Sequence, residues 1–357
     1  MILFANKNKL AFLYFFLALI LNIIGSITLY SINPAIAVKH WQSSCIFCII
    51  SLIFIFIPNN TIKKITTISY IGLVIALIIT ILFGHSAMGA QRWIQIGPIG
   101  IQPSEWAKIT TIMIIAKYFD DIPISHIKKW RYLIQPSILI AIPSILILKQ
   151  PNLGTTIILC ASSFSLFFYA GVDIKKILLV LLLMILLIPI VWNFVLLGYQ
   201  KQRVMTFLNP NSDVLGAGYN ILQSQIAIGN GGIWGQGWRK GVQNTHNFLP
   251  ERHTDFILSV FAEEFGYIGV IIILSIYFMM FCIGLLLCNR VKEHMNKLLI
   301  IGLNFMIFIQ LFINSGMISG LIPVVGVPLP FISYGRSYLL TCWLCVGLVL
   351  NCCKDSK

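Results

Sequence analysis

Five ionisable side chains lie within the ten residues from 246 to 255 of an otherwise largely apolar chain. They are His246, Glu251, Arg252, His253 and Asp255. Asp255 leads directly into a long hydrophobic run, and a carboxylate at the mouth of a membrane segment is costly unless it has a partner or a task. Such a carboxylate can act as a general base. As an alternative, Asp255 or Thr254 caps the helix that follows.

The composition is that of a polytopic α-helical membrane protein. Of the 357 residues, 58% are hydrophobic and 10% are charged, whereas soluble domains contain about 25% charged residues. The apolar runs of about 20 residues are continuous, which argues against the alternating pattern of a transmembrane β-barrel. We predict an all-α fold, with residues 1–357 as a single domain because no internal repeat or low-complexity linker divides the chain.

Hydropathy predicts about ten transmembrane helices. They cover roughly residues 10–31, 42–58, 66–84, 104–118, 132–148, 153–171, 177–198, 256–288, 298–322 and 330–351. The first apolar stretch is too long for a signal-peptide core of about 7–15 residues, so we interpret it as an uncleaved span. A large outer loop, at about 199–255, separates helices seven and eight.

The basic residues predict the orientation. The net charge of +14 is scattered between the spans and forms no single patch, so membrane lipids are the expected partners and nucleic acid is not. If the N-terminus is cytoplasmic, fifteen Lys and Arg residues fall on inner segments and three on the short outer connectors. The fifteen are Lys7, Lys9, Lys63, Lys64, Lys117, Lys128, Lys129, Arg131, Lys175, Lys176, Arg290, Lys292, Lys297, Lys354 and Lys357, and the three are Lys39, Arg92 and Lys149. Both termini are therefore predicted to be cytoplasmic, and the segments at about 85–103 and 199–255 to lie outside.

The two outer segments are rich in glycine and tryptophan. In the second segment the run ILQSQIAIG is too short to span a bilayer and suits an interfacial or re-entrant helix. Four tryptophans are predicted to lie at head-group depth. They are Trp93, Trp106, Trp234 and Trp238.

Metal-ligand spacing is absent from the sequence. The six histidines form no HxxxH or HxH pattern. Two cysteine pairs, Cys45 with Cys48 and Cys342 with Cys345, have CxxC spacing but lie in apolar runs. We interpret them as small packing residues rather than ligands.

Three ordered stretches resemble the SEDS cell-wall polymerases, the RodA, FtsW and SpoVE family of bacteria. The stretches are GAQRWIQIGPIGIQPSEWAK, then GYNILQSQIAIGNGGIWGQGWRKG running into FLPERHTDFILSVFAEEFG, and GLIPVVGVPLPFISYG. The ten-span layout and the long outer loop also match, so the resemblance covers nearly the whole chain. GAQRW, and Arg252 in ERHTDF, are more similar to the elongation (RodA) branch than to the division (FtsW) branch.

The resemblance implies a peptidoglycan glycosyltransferase of the bacterial inner membrane. Such proteins polymerise lipid II, a disaccharide-pentapeptide on undecaprenyl pyrophosphate, and work with a class B penicillin-binding protein and other elongation-complex proteins. By this resemblance the family aspartate falls on Asp255 and the family tryptophan on Trp93, while the glutamate and lysine of QPSExxK fall on Glu105 and Lys108. Asn152 replaces a family carboxylate in QPNLGT, and Arg336 replaces a family glycine in SYGRS.

In that reaction a sugar hydroxyl attacks an anomeric carbon that carries pyrophosphate, and we predict that Asp255 is the base. Cations that can meet the pyrophosphate are predicted to bind substrate, although head-group contact is an alternative for each. They are Arg92, Arg239, Lys240, Arg252 and His253. A divalent cation, Mg²⁺ or Mn²⁺, held partly by the pyrophosphate is left open.

Three further features need an interpretation, and two of them leave alternatives open. Glu105 and Lys108 share a helix face. We predict that they contact substrate, and the alternative is a structural ion pair. Trp93 is also predicted to contact substrate. Glu263 lies about two helical turns after Asp255 and is expected to pack or pair. The glycines and prolines of 320–335 form either a loop beside a lipid-binding groove or a simple turn.

Two other functions compete with polymerisation. A transporter of the same lipid, a flippase, would show polar residues through the depth of the bilayer, whereas here the charges concentrate at the outer rim. A scaffold that only recruits a crosslinking partner would leave Asp255 without a task. A division polymerase of the FtsW type is the alternative within the family.

Overall fold

Ten long helices form the body of the protein in the computed structural model, which describes residues 6–87, 90–97, 99–194, 198–209, 217–246 and 248–354. Four shorter helices and three strands complete the described part of the chain. The helices are α1 Lys7–Ile32, α2 Pro34–Phe54, α3 Asn59–Phe83, α4 Pro103–Asp120, α5 Ile124–Ile127, α6 Arg131–Lys149, α7 Leu153–Tyr169, α8 Ile174–Phe194, α9 Gly198–Leu208, α10 Ala217–Gly231, α11 Val242–Thr245, α12 Ile257–Arg290, α13 His294–Ile318 and α14 Arg336–Cys352. Each predicted span corresponds to one long helix, so the expected all-α architecture is confirmed.

Six of the long helices, α1, α2, α3, α6, α12 and α13, are long and apolar enough to cross a membrane, and α7 and α14 are shorter apolar helices. The outward faces carry large apolar side chains such as Phe12, Leu82 and Phe278. Water would make these faces unstable, but acyl chains solvate them, and a helix satisfies its own backbone polar groups. The fold is therefore that of a polytopic membrane protein.

Helix α2 shows the largest difference from its predicted bounds. It begins at Pro34 rather than near residue 42, because Asn33 caps it by accepting the N–H groups of Ala35 at 2.9 Å and Ile36 at 3.4 Å. Proline is well suited to the first helical position, where its missing N–H is not needed. Hydropathy missed this first part of α2 because Lys39 and nearby polar residues lower its apolar content.

A small antiparallel sheet follows α3, where the sequence suggested only a loop. Its strands are β1 His85–Ala87, β2 Ala90–Ile96 and β3 Ile99–Ile101, in the order β1-β2-β3. Trp93 faces His85 in the first pairing, and Ile94 faces Ile101 in the second. Strand alternation therefore places Arg92 and Trp93 on opposite faces of β2.

The segment after α8 folds back onto the bundle rather than forming an open loop. The predicted interfacial run is helical, as α10, and α9 precedes it. Ser224 of α10 shares a hydrogen bond of 2.7 Å with Ser259 of α12 and donates to the carbonyl of Ile318 at 2.8 Å. Helix α12 bends at Gly266, whose φ of 67° is open to glycine.

A loop of residues 319–335 connects α13 to α14 without regular structure. Buried backbone carbonyls need donors, and side chains from the surrounding helices donate to three successive parts of this loop. The pairs are Tyr338 with Pro328 at 2.7 Å, Tyr277 with Pro330, and Asn22 with Phe331 at 3.2 Å. The 319–335 loop is therefore a fixed part of the interior and not a simple turn.

Candidate active site

Asp255 lies two residues before the start of α12 and does not occupy its N-cap position. The N-cap position is Phe256, and no described side chain bonds there. The Thr254 hydroxyl instead donates to Glu251, at 3.2 Å from its carbonyl oxygen and 3.0 Å from its carboxylate. Both capping alternatives raised by the sequence are therefore wrong, and the Asp255 side chain is left for another role.

The 319–335 loop fixes the backbone around Asp255. Asn314 of α13 donates its amide to the carbonyls of Asp255 and Val327, each at 2.8 Å. Ser333 donates to the carbonyl of Thr254 at 2.6 Å. These bonds hold the end of the 241–256 segment and the loop in one rigid unit, as precise placement of a reacting group requires.

Gly326 of this loop faces the carboxylate directly. A Cβ added at Gly326 would lie 3.4 Å from Asp255 Oδ2, and the φ of Gly326 is +70°. Only glycine adopts this conformation without strain. The loop therefore lies along one side of the carboxylate, with room for a glycine there.

The environment raises the pKa of Asp255 from 3.8 to about 7. Burial is the largest cause, because it removes water from the charged form, and the negative charge of Glu251 acts in the same direction. The positive charges of Arg203 and Arg92 oppose the rise. A carboxyl group with a pKa near neutrality is suited to proton transfer at physiological pH.

A cavity of about 410 Å³ carries both of these arginines on its wall. Its other lining is mostly aliphatic and aromatic, from α7, α9, α13 and the 319–335 loop. Arg203 also donates to the carbonyl of Val324 at 3.2 Å. We call this the arginine-lined cavity: it joins an apolar volume to two guanidinium groups that act on Asp255.

Arg92 and Trp93, although adjacent in sequence, have different surroundings. Arg92 donates to the carbonyls of Gln150, at 3.0 Å, and Pro151, so that β2 is tied to the start of α7. Trp93 packs over Gly100 of the neighbouring strand, where an added Cβ would lie 3.3 Å from its ring. The structure therefore places Arg92 at the arginine-lined cavity and Trp93 in the sheet.

Glu105 and Lys108 form a buried ion pair in α4, with Nζ 2.8 Å from Oε2. Their exposed fractions are 5% and 1%, and Lys108 Nζ lies 5.2 Å from the centre of the Tyr338 ring. Because Tyr338 also bonds to the 319–335 loop, the pair supports that loop from below. This geometry fits the structural alternative, and the substrate contact of Glu105 and Lys108 stays a prediction.

Arg239 and Lys240 lie in another part of the segment between α8 and α12. The Arg239 guanidinium is 5.9 Å from the ring of Tyr30 and 5.8 Å from that of Trp238. Lys240 packs against Gly237. The structure thus brings Arg239 to the end of α1, and these contacts are the expected ones for a cation among interfacial aromatic rings.

Arg252 and His253 are half-buried neighbours of Asp255. The His253 ring lies 6.2 Å from that of Tyr334, and its carbonyl accepts the N–H of Tyr334 at 2.9 Å. Burial lowers the pKa of Arg252 from its ordinary value. His246 lies on the exposed side of the same segment, next to Phe248.

The two departures from the family pattern fall at helix starts. Asn152 caps α7 by accepting the N–H of Thr155 at 3.3 Å, and its amide donates to Ser104 at 3.4 Å. Asparagine is as good a cap as aspartate, so the replacement keeps this function. Arg336 is the exposed first residue of α14.

Glu263 is buried against the segment between α8 and α12, as expected for a packing residue. Its Oε1 accepts the backbone N–H of Gln243 at 3.0 Å. The carbonyls of Glu263 and Glu264 also accept the N–H groups of Gln236 and Gly237. Glu263 therefore fastens the segment that leads to Asp255 onto α12.

Sequence reasoning missed Arg203, Glu251 as an electrostatic neighbour, and Asn314. Arg203 lies on α9, in a stretch whose helical pattern was not recognised within the outer loop. Asn314 is a fully buried amide in an apolar helix, and such a residue is rarely placed in a membrane interior without a bonding task. The presence of an asparagine in an otherwise apolar helix was therefore the sequence signal that could have identified Asn314.

In the described part of the chain, no group of three or more His, Cys, Asp or Glu side chains converges on one point. Glu251 and Asp255 are the carboxylates of the site. Among the described residues these two carboxylates could supply only part of a coordination shell, and a divalent ion would need further oxygen ligands, such as water, backbone carbonyls or the substrate.

A family model of cell cycle proteins, named for FtsW, RodA and SpoVE, matches residues 3–357. The chain is 41% identical over 283 residues to the peptidoglycan glycosyltransferase MrdB of Escherichia coli K12, covering 79% of this chain and 76% of MrdB. It is 33% identical over 350 residues to the probable peptidoglycan glycosyltransferase FtsW of Geobacter metallireducens, covering 94% and 92%.

A solved structure shows the same fold. It is a chain of a peptidoglycan synthase complex, described as coordinating polymerization and crosslinking, and it aligns with a TM-score of 0.82. The identity is 27%, over 94% of this chain and 95% of that chain. Taken with the family match over almost the whole sequence, this means that the chain belongs to the FtsW/RodA/SpoVE family of membrane proteins.

Proposed function

We propose that this protein is a peptidoglycan glycosyltransferase that polymerises lipid II into glycan strands. The observation that carries the proposal is the Asp255 carboxylate, whose rise in pKa to about 7 is opposed by the positive charges of Arg203 and Arg92, because these same two arginines line an apolar cavity. The relatives MrdB and FtsW are named peptidoglycan glycosyltransferases. Their chemistry requires a base and positive charge for a leaving pyrophosphate, and both are present here.

Asp255 takes the proton of the acceptor sugar hydroxyl as that oxygen forms a β-1,4 bond to the donor anomeric carbon. The bond from that carbon to the pyrophosphate oxygen breaks, and the electron pair leaves with undecaprenyl pyrophosphate. Arg92 and Arg203 stabilise the charge that develops on the leaving group. Asp255 is thus assigned to the attacking hydroxyl, and the two arginines are assigned to the leaving pyrophosphate.

The shape of the arginine-lined cavity agrees with a polyprenyl pyrophosphate. Ile309, Phe312 and Ile313 of α13 supply an apolar wall for the lipid chain. Arg92 and Arg203 lie on the wall of the same cavity and suit the two phosphates. A guanidinium presents several donors to phosphate oxygens, which favours arginine over lysine at such a site.

A flippase is less well supported than a polymerase. Transport would need polar groups along a route through the bilayer, and compared with the ion pairs of Lys63, that of Glu105 with Lys108 is the more buried. Both side chains are buried and packed under Tyr338. They therefore support the 319–335 loop rather than a passage.

The elongation branch, with a class B penicillin-binding protein as crosslinking partner, is the expected setting. The identity to MrdB, 41%, exceeds the 33% to FtsW of Geobacter metallireducens, and the aligned synthase complex combines polymerization with crosslinking. The proposed location is the bacterial inner membrane with both termini in the cytoplasm. The site is then on the outer side, where lipid II is consumed.

A gel assay for glycan polymer tests the proposal, using purified protein, its penicillin-binding partner and labelled lipid II. Asp255→Asn keeps the shape and hydrogen bonding of the side chain but removes the base. Polymerisation should fall by about 10²–10⁴, the typical contribution of general-base catalysis.

Asp121→Asn is the matched control, because Asp121 pairs with Lys63 at 2.7 Å at the other end of the bundle. It should polymerise like the wild type. Near wild-type polymerisation by Asp255→Asn, at equal expression and folding, would remove the assignment and make Glu105 the next carboxylate to test.

A further inference from the structure

A second cavity lies at the end of the bundle opposite Asp255. Its volume is about 350 Å³, and it opens between α6, α7 and α8. Apolar side chains line its depth, among them Leu133, Ile138, Phe164 and Val180. Because α6 starts here and ends beside Gln150, which bonds to Arg92 of the site, the two cavities are at opposite ends of α6.

Cations and an aromatic ring surround the mouth of this groove. Lys176 Nζ lies 5.2 Å from the centre of the exposed Trp130 ring and also donates to the carbonyl of Lys128. The chain around the mouth, residues 126–133 and 172–177, carries five Lys or Arg residues and one carboxylate. They are Lys128, Lys129, Arg131, Lys175 and Lys176, against Asp173.

Helix α8 closes one side of the groove while remaining largely exposed. Leu179, Leu182 and Leu186 of α8 all face outward, so that acyl chains surround this helix. An apolar groove in a membrane helix bundle fills with hydrocarbon. What distinguishes this groove is its basic and aromatic mouth, which matches the basic pockets between helices that bind anionic head groups.

We propose that this groove binds one anionic phospholipid, whose phosphate lies at Lys176 and Trp130 and whose acyl chain follows α6 and α8. The lipid is separate from the substrate of the arginine-lined cavity. Lys176 contributes charge and Trp130 an amphipathic ring at head-group depth. The bound lipid fills the space between α6 and α8 and so fastens α8, the helix that precedes Arg203, to the bundle.

Native mass spectrometry of the full-length protein in detergent tests the site, with dioleoyl phosphatidylglycerol and dioleoyl phosphatidylcholine added in turn. The wild type should retain one phosphatidylglycerol at concentrations that leave phosphatidylcholine unbound. Lys176→Gln should weaken retention on the order of 5-fold, the effect of one cation near an anionic lipid. Lys176→Arg should restore it.

Lys64→Gln is the charge control, because Lys64 is an exposed lysine at the same end of the bundle, on α3. It should bind like the wild type. Equal weakening by Lys64→Gln, or equal retention of phosphatidylcholine, would overturn the proposal by showing only diffuse surface charge or only chain binding. Displacement of the lipid by inorganic phosphate would mean a site for phosphate itself.

Ala141→Trp tests the groove independently of charge, since Ala141 lines it. The added ring should abolish retention of phosphatidylglycerol. Ile145→Trp, on the same helix but at an exposed position outside the lining, should not. Unchanged lipid binding in Ala141→Trp would overturn the proposal. So would a variant that keeps its lipid but loses a protein dimer, because the groove would then bind a second copy of the chain.

Discussion

At the scale of the residue, the chemistry of this protein depends on how burial and three neighbouring charges compete around Asp255. Burial and Glu251 raise its pKa while Arg203 and Arg92 lower it, and the balance is about 7. A carboxyl group at its ordinary value would be a weak base, and one raised much further would stay protonated. The sequence predicted Asp255 from its polar surroundings and from the family pattern, but Arg203 was hidden because folding alone brings α9 to the site.

The first prediction concerns the pH dependence of polymerisation. Because the base must be ionised, kcat/KM should fall about tenfold per pH unit below a midpoint near 7. Glu251→Gln removes a charge that raises the pKa of Asp255, so its acid limb should move to lower pH. Arg203→Gln removes a charge that lowers this pKa, so its limb should move to higher pH.

Initial polymerisation rates across the pH range, with lipid II below saturation, would measure these limbs. Asp121→Asn serves again as a control whose limb stays in place. Limbs that do not move, or that move in the same direction in Glu251→Gln and Arg203→Gln, would contradict the electrostatic account of Asp255.

The second prediction concerns stability. A carboxyl group whose pKa is raised in the folded state stabilises the protein when protonated, and that contribution is present below pH 3.8 and lost as pH rises through about 7. Asp255→Asn is neutral at every pH, so at pH 8 it should melt a few degrees above the wild type. The difference should shrink as pH falls to 5.

Thermal unfolding in detergent, followed at pH 5 and pH 8, gives the comparison. Asp121→Asn should show no such gain, because Asp121 is an exposed partner of Lys63. A variant that is less stable than the wild type at pH 8 would mean that ionised Asp255 is well satisfied in the folded protein.

At the scale of the element, the 319–335 loop decides where the carboxylate is held. Gly and Pro residues predicted a bend there, but the sequence did not distinguish a turn from a groove wall. The distinction comes from donors on three helices, since Asn22 and Tyr277 are distant from the loop in sequence and Tyr338 lies on α14, which follows it. Only tertiary packing assembles them on one loop, so hydropathy and turn rules predict the loop without its conformation.

The third prediction compares two glycines with positive φ. Gly326, at +70°, faces Asp255, whereas Gly171, at +92°, has no described atom within 4 Å of an added Cβ. Alanine should strain the backbone at either position by about 1–2 kcal/mol. Gly326→Ala should in addition lower kcat, because its methyl group contacts the carboxylate and desolvates it further.

The measurement is thermal stability beside polymerisation rate for both variants. Similar losses of stability with a rate loss confined to Gly326→Ala would support the role of the loop. If the two variants lose activity equally, the close approach of Gly326 to Asp255 has no catalytic consequence.

At the scale of the whole molecule, the bilayer made most of the fold predictable. A helix must be long enough to cross the hydrocarbon and must satisfy its own backbone, so apolar runs gave all ten long helices. The three strands at 85–101 were not predicted, because alternation over so few residues is a weak signal. The site was only partly predictable for a related reason. Its two arginines lie on β2 and α9, in segments that hydropathy treats as loops.

The last prediction is the orientation of the molecule. The excess of Lys and Arg on one set of connectors places residue 129 inside the cell and residue 245 outside. Both are exposed in the structure, Lys129 before α6 and Thr245 at the end of α11. In a variant without the nine native cysteines, a membrane-impermeant maleimide should label Thr245→Cys in intact cells and label Lys129→Cys only after lysis. Labelling of both positions from the same side would contradict this topology, because part of the bundle would then have the opposite orientation. Asp255 would lie away from the substrate that it is proposed to deprotonate.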